Sequence, residues 1–322
     1  MTKTPRNSRL AQTIGQVDAR VSPRYAGIAT FARLPQQNDV EDFDVAILGV
    51  PFDSGVTFRP GARFAPAAIR EASRLIKPYH PDLDVSPFEL LQVVDAGDVP
   101  ANPFAIDEAL QQIEGAVDDL SSGGRRPVLM GGDHTIALPA LRALSRRHGP
   151  LALVHFDAHL DTWDTYFGAE VTHGTPFRRA AEEGLLAEGN SMHIGTRGTL
   201  YSPSDLEDDA GLGFTIIRAQ DFEELSLDEI AGRIRSRVGA TPLYISIDID
   251  VLDPAFAPGT GTPELGGLSS REVIGVLRRL SGLNFIGADV VEVAPAYDSG
   301  NVTSVAAAGI IMEYLALMAI QS

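Results

Sequence analysis

Cysteine is absent from the 322-residue chain. Disulfide scaffolds, zinc-thiolate sites, iron–sulfur clusters and cysteine nucleophiles are excluded with it. Basic residues are scarce, with 26 Lys plus Arg against 43 Asp plus Glu and a formal charge of −17. A chain this acidic is repelled by nucleic acid and by anionic membrane surfaces, and it attracts metal ions and cationic small molecules. Long hydrophobic runs are also lacking. The most apolar stretch, residues 305–320, is interrupted by Glu313 and is short for a bilayer span, so a buried helix is expected there. Residues 1–21 carry Lys3, Arg6, Arg9, Asp18 and Arg20 and no apolar stretch of signal-peptide length, so a soluble cytoplasmic protein is expected.

Hydrophobic residues make up 44% and charged residues 21%, enough apolar material for a packed core. The first 35 residues, rich in Pro, Arg, Asn and Gln, are expected to form an extended arm over the domain or a neighbouring subunit. Residues 36–322 then read as one domain. Short apolar runs at 44–50, 91–94, 127–130, 151–156, 191–196, 214–218, 243–247 and 285–290 read as strands. Helices are expected at 65–75, 106–120, 136–147 and 302–320, and another opens at the capping box Ser269-x-x-Glu272 and runs to Leu280. The alternation of strand and helix predicts a three-layer αβα domain around a mainly parallel sheet.

In such sheets ligands bind beyond the carboxyl ends of the strands, and the polar clusters fall there. Strand 127–130 runs into Gly131-Gly132-Asp133-His134, strand 151–156 into Asp157-Ala158-His159-Leu160-Asp161, and strand 243–247 into Asp248-Ile249-Asp250. In extended backbone, residues two apart share a face, so Asp157, His159 and Asp161 aim at one point, as do Asp248 and Asp250. One such pair is an ordinary turn or cap. Three at three strand ends gather four carboxylates and two imidazoles, and without cations the carboxylates repel one another and take up protons. Two divalent ions balance that charge. Oxygen-rich ligation with one imidazole per ion suits Mn²⁺ better than Zn²⁺, and a close pair of ions turns a shared water into a nucleophile.

The segments MGGDHT (130–135), HFDAHLDTW (155–163), SIDIDVLDPAFAPGTGTPELGGL (246–268) and GADVVEVAPAYD (287–298) resemble the ureohydrolases, the arginase and agmatinase family, and most closely its agmatinase branch. The likeness runs in order from about residue 24 to 318. It implies the arginase-type fold, two Mn²⁺ per subunit, and hydrolysis of a guanidinium group to urea and a primary amine. By motif, the implied metal ligands are His134, Asp157, His159, Asp161, Asp248 and Asp250. His173 matches the histidine that relays protons to the leaving amine, and Glu292 matches the carboxylate that holds the guanidinium. Asp161 is implied to pass a proton from the attacking water, Thr262 to touch the substrate, and the glycine-rich run 259–267 to wall the site. A homotrimer or homohexamer is implied as well.

The distal end of the substrate stays open. Agmatine, giving putrescine, is the first expectation. Phe177-Arg178-Arg179 also resembles the branches acting on guanidino acids (guanidinobutyrase, guanidinopropionase and proclavaminate amidinohydrolase types), where an arginine facing the pocket favours an acid. Trp163, Tyr166 and Phe167 either line the methylene chain or simply pack under the loop. A single-zinc deacetylase of the same fold is the remoter alternative, since it uses one Asp/His/Asp set. A protein that only binds guanidines is the non-enzymatic one.

Overall fold

Alternating apolar residues decide the two faces of the sheet. In the computed structural model, which describes residues 13–321, the strands are β1 (Val45–Gly49), β2 (Val93–Asp98), β3 (Arg126–Met130), β4 (Ala152–Phe156), β5 (Ser191–Thr196), β6 (Phe214–Arg218), β7 (Leu243–Asp248) and β8 (Phe285–Val291). They form one sheet in the order β2-β1-β3-β8-β7-β4-β5-β6, and every pairing is parallel. Parallel neighbours require crossovers, which nine helices supply among the described residues. They are α1 (Ala65–Ser73), α2 (Pro87–Leu90), α3 (Ile106–Ser121), α4 (Ala137–His148), α5 (Pro176–Glu182), α6 (Ser204–Gly211), α7 (Leu227–Val238), α8 (Ser270–Arg278) and α9 (Val302–Ile320).

Ile47, Met130, Val154, Ile245 and Val290 face α1, α7, α8 and α9. Leu48, Leu129, Leu153 and Tyr244, on the opposite face, pack against α3, α4 and α5. The result is the expected three layers. Helix α9 is apolar all round and long enough to cross a membrane, but 78% of its apolar window is buried against the fold. It is a core helix.

Eight strands and five helices lie close to the positions expected from periodicity. The Ser269 box is formed, with Glu272 N–H donating to Ser269 Oγ at 3.2 Å, although α8 stops at Arg278 rather than Leu280. Helices α2, α5, α6 and α7 were not expected. For α7 the signal was present, because Ser226-x-x-Glu229 forms the same kind of box.

Residues 1–12 of the expected arm lie outside the described residues. Residues 13–35 lie on the chain's own β2 and α1: Phe31 N–H donates to Asp95 Oδ2 and Ala32 N–H to Ser73 Oγ, both at 2.7 Å. Phe31, Ala32 and Leu34 are buried in the core.

The chain leaves β3, crosses β8 and β7 to form β4, and returns from β6 to fill the middle. The four central strands, β3-β8-β7-β4, therefore discharge side by side at the carboxyl edge. Three of them carry the polar words read from the sequence, and the fourth carries Glu292.

Candidate metal centre

After β3 the backbone must turn sharply to aim His134 back over the sheet. Gly132 makes the turn at φ 82°, and a Cβ there would lie 2.7 Å from the Val50 carbonyl oxygen. Only glycine fits. Asp133 fixes the next residues of the turn, accepting from Thr135 N–H at 3.0 Å and from Gly55 N–H at 2.7 Å. Asp248 plays the same part after β7, its Oδ1 accepting from Asp250 N–H at 2.9 Å.

These turns bring the six sequence-predicted ligands together. His134 Nδ1 lies 3.2 Å from Asp157 Oδ2, 2.9 Å from Asp161 Oδ2 and 3.4 Å from Asp248 Oδ2. His159 Nδ1 lies 3.2 Å from Asp157 Oδ1 and 3.3 Å from Asp250 Oδ2. Two groups of ligand atoms result, and they share Asp157. His155, not predicted as a ligand, also reaches the first group.

All four carboxylates are buried, and among the described residues their only ion-pair partners are histidines. Burial, reinforced by Asp250 and Asp157, pushes Asp248 well above the carboxylate range. Burial and Asp157 raise Asp161. Asp250 is raised to about 6, first by burial, with His159 opposing and Asp157 adding. Burial alone would lower His134 and His159, but their carboxylate neighbours override it and raise both. Asp157 goes the other way, because His155, His134 and His159 outweigh its burial and hold it low.

Whether divalent ions fit can be tested at His134. Its Nε2 lies 2.7 Å from Ser246 Oγ, which in turn donates to Asp289 Oδ1 at 2.7 Å. Asp289 also accepts from Tyr244 O–H at 2.7 Å. This chain of contacts holds a proton on Nε2 and makes Nδ1 the nitrogen available to a ligand. That Nδ1 is buried, has no hydrogen-bond partner, and faces three carboxylates. Three anions around Nδ1 call for positive charge at that point, either the proton that the raised imidazole takes up or a metal ion in its place. Oxygen-rich donors with few imidazoles match a hard divalent ion such as Mn²⁺.

Glu292 lies beside this centre. It is 1% exposed, and Oε1 accepts from His134 N–H at 2.9 Å and meets His173 Nδ1 at 3.0 Å. Oε2 is buried and has no partner. Space above it depends on Gly261, whose Cβ would lie 3.3 Å from Oε2. Glu292 and Asp161 both hold left-handed backbone, at φ 63° and 54°, strain of roughly 1–3 kcal/mol each that tends to collect at functional positions. His173 Nε2 accepts from Thr57 N–H at 3.1 Å and lies 2.7 Å from Thr57 Oγ1. Burial lowers the His173 imidazole, but Glu292 outweighs it and raises it to about 9.

Other candidates divide. Thr262 reaches the centre, but its hydroxyl donates to Asp250 Oδ2 at 3.3 Å. Trp163, Tyr166 and Tyr201 form a triangle of rings 5.9–6.2 Å apart that lines a cavity of about 420 Å³. Phe167 is almost fully exposed. Arg178 and Arg179 pair with Asp164 and Glu182, so neither is a free cation for a substrate. Ser246, Asp289 and Thr57 were not anticipated, because nothing near them in sequence names their partners.

The family model described as the arginase family matches residues 43–316. Guanidinopropionase of Pseudomonas aeruginosa is 46% identical over 304 residues, covering 94% of this chain and 95% of that protein. The solved structure of proclavaminate amidinohydrolase from Streptomyces clavuligerus superposes with a TM-score of 0.90 at 44% identity, covering 94% of this chain and all of that one. A hypothetical agmatinase from Burkholderia thailandensis gives a TM-score of 0.85 at 39% identity, with 92% of each chain covered.

Proposed function

Because the chain belongs to the arginase family and is therefore a hydrolase of C–N bonds in guanidino compounds, we propose that it releases urea from a small linear guanidino substrate at two Mn²⁺ ions. The ions would be held by His134, Asp157 and Asp161 and by Asp157, His159 and Asp250, with Asp248 as a further carboxylate beside His134. When bound, they neutralise the carboxylates and lower the pKa of a water at neutral pH. The observation that carries the reading is Glu292 Oε2, a buried acceptor without a donor beside that centre.

A guanidinium donates to Oε2 through a charge-assisted hydrogen bond, which orients its planar carbon over the cluster. His173, held by Nδ1 against Glu292 and raised by it to about 9, can take up a second proton on Nε2 and give it to the amine that leaves when the C–N bond breaks. Asp161 accepts the proton that the attacking water gives up. A one-ion deacetylase site would need only the Asp157, His159 and Asp250 group, so His134 and Asp161 favour two ions. Glu292→Gln keeps the shape but loses the charge. It should retain both ions while urea release falls by about 2–5 kcal/mol in barrier, roughly 30- to several-thousand-fold. Loss of the ions, or undiminished turnover, contradicts the role.

Agmatine remains the first substrate to try. The names of the relatives fit a guanidino acid equally well, and Arg59 favours one. The Arg59 carbonyl oxygen lies 3.1 Å from the Cβ position of Gly261, which places this residue at the wall above Glu292. Its guanidinium rests 5.4 Å from the Phe58 ring centre and 5.2 Å from that of Tyr297, with no carboxylate partner among the described residues. It is therefore free to receive a distal carboxylate. Urea release from agmatine, 3-guanidinopropionate and 4-guanidinobutyrate by the Mn²⁺-loaded chain decides the class. Arg59→Met should raise KM for the acids and leave agmatine unaffected. No urea from any of the three overturns the function itself.

A further inference from the structure

Asp157 is the one carboxylate common to both ligand groups, and a line of buried polar side chains runs from it across β4 and β5 to α6. Its Oδ2 accepts from His155 Nε2 at 2.7 Å. His155 Nδ1 faces His193 Nδ1 at 2.7 Å, and His193 Nε2 faces Asp209 Oδ1 at 3.0 Å. Thr162 Oγ1 donates to the same Asp209 oxygen at 2.8 Å. His155 and His193 are fully buried and Asp209 is 1% exposed. Phe214 stacks on His193 with ring centres 4.4 Å apart, and Phe177 packs on His155 at 4.3 Å, so neither ring can swing away.

Asp209 is poorly placed for stability. It lies in the last turn of α6, where the helix dipole disfavours an anion, and its Oδ2 is buried without a partner. The contacts have a direction. His155 donates to Asp157, so its Nδ1 must accept, and His193 must be the donor between the rings. His193 Nε2 then meets Asp209 across one further proton, which that pair holds.

We infer that Asp209 and His193 are positioning residues that act through His155 to fix the orientation of Asp157 and so the affinity of both cation groups. The inference rests on reading the cluster as a two-cation centre. Partners behind a ligand commonly alter metal affinity by 10- to 100-fold.

The test is titration of the metal-stripped full-length chain with Mn²⁺ against a chelating dye, with thermal unfolding of the metal-free protein measured in parallel. Asp209→Asn and His193→Gln should each weaken Mn²⁺ binding about 10- to 100-fold. Because the links are in series, the double variant should be no worse than the weaker single one. Asp209→Glu should restore part of the affinity. If Asp209→Asn does not fold, Thr162→Val removes only the terminal hydrogen bond and should cost about three- to tenfold in Mn²⁺ affinity. Native affinity in these variants overturns the inference, as do losses that multiply in the double variant and follow its metal-free melting point. A wild-type chain that binds no Mn²⁺ overturns both the inference and the reading beneath it.

Discussion

Two buried charge clusters in this molecule are built on opposite principles. Under α1, Arg70 donates from Nε and Nη2 to the two oxygens of Asp95, each at 2.8 Å, and from Nη1 to Asp98 at 2.6 Å. Asp95 also receives the backbone N–H of Phe31 and of Gly97. Buried Asp95 meets a guanidinium in good geometry and has donors on both oxygens, while half-exposed Asp98 is left partly to water, so the buried groups are closed. At the carboxyl edge of β3, β4 and β7, four buried carboxylates meet imidazoles and no guanidinium, and one imidazole nitrogen faces them without a hydrogen bond. That cluster is open. A closed cluster ties elements together, whereas an open one is completed by something the chain does not supply.

The largest effect should come from the shared ligand. Asp157→Asn is expected to lose both ions and all urea release while still folding, because the substitution also removes the repulsion that the ions relieve. Elemental analysis and calorimetry on the same sample check this, and retention of either ion breaks the comparison. In the closed cluster the outcome should invert. Arg70→Met leaves Asp95 buried and unpaired, at about 3–5 kcal/mol of folding stability, with the Mn²⁺ content of the folded protein unchanged. Denaturant unfolding gives the first number and metal analysis the second.

Acidity should separate the clusters next. Asp250 is raised from an unfolded value of 3.8 to about 6, so the folded metal-free protein binds more protons than the unfolded chain between these values. The contribution of this residue to stability must therefore fall as pH rises from 3.8 to 6, by on the order of 2–3 kcal/mol. Asp161 and Asp248, also raised, act in the same sense. His155, lowered to about 3 by burial, opposes them, because over this range the unfolded imidazole binds a proton that the buried one does not. Asp157, held low, adds to that opposition near pH 4. Saturating Mn²⁺ should cancel the fall, since ion binding requires the ionised carboxylates. Melting temperatures of the native chain and of Asp250→Asn across pH, with and without Mn²⁺, isolate the Asp250 share; metal-free proteins whose pH dependence does not differ contradict the open cluster. The smallest effect belongs to the surface. Arg178→Met breaks exposed pairs with Asp164 and Glu182 and should change stability by no more than about 0.5 kcal/mol, with KM unchanged for every substrate.

The open cluster was legible in the sequence because its six members sit in three short words at strand ends, where a period of two is enough to align them. Its supports were not. Ser246 meets His134 across 112 residues and His173 meets Glu292 across 119, and no local pattern encodes such pairings. Thr262 was expected at the substrate and is instead turned onto Asp250, a choice of rotamer rather than of position. Strands were readable because both sheet faces are covered, which makes their apolar runs nearly continuous. Helix α6, an eight-residue element with a single buried side chain, Asp209, has almost no apolar stripe to find. The first 35 residues read as an arm by composition, yet Phe31 and Leu34 are drawn into the core by contacts with β2 and α1, more than 40 residues away in sequence.

The claim that the carboxyl-edge cluster is completed by two cations is tested most directly by counting metal against activity. The metal-stripped chain should release no urea from any guanidino substrate. On titration with Mn²⁺ alone, activity should rise and level off at two ions per chain. Full activity at one ion per chain, or in the stripped protein, would contradict the account.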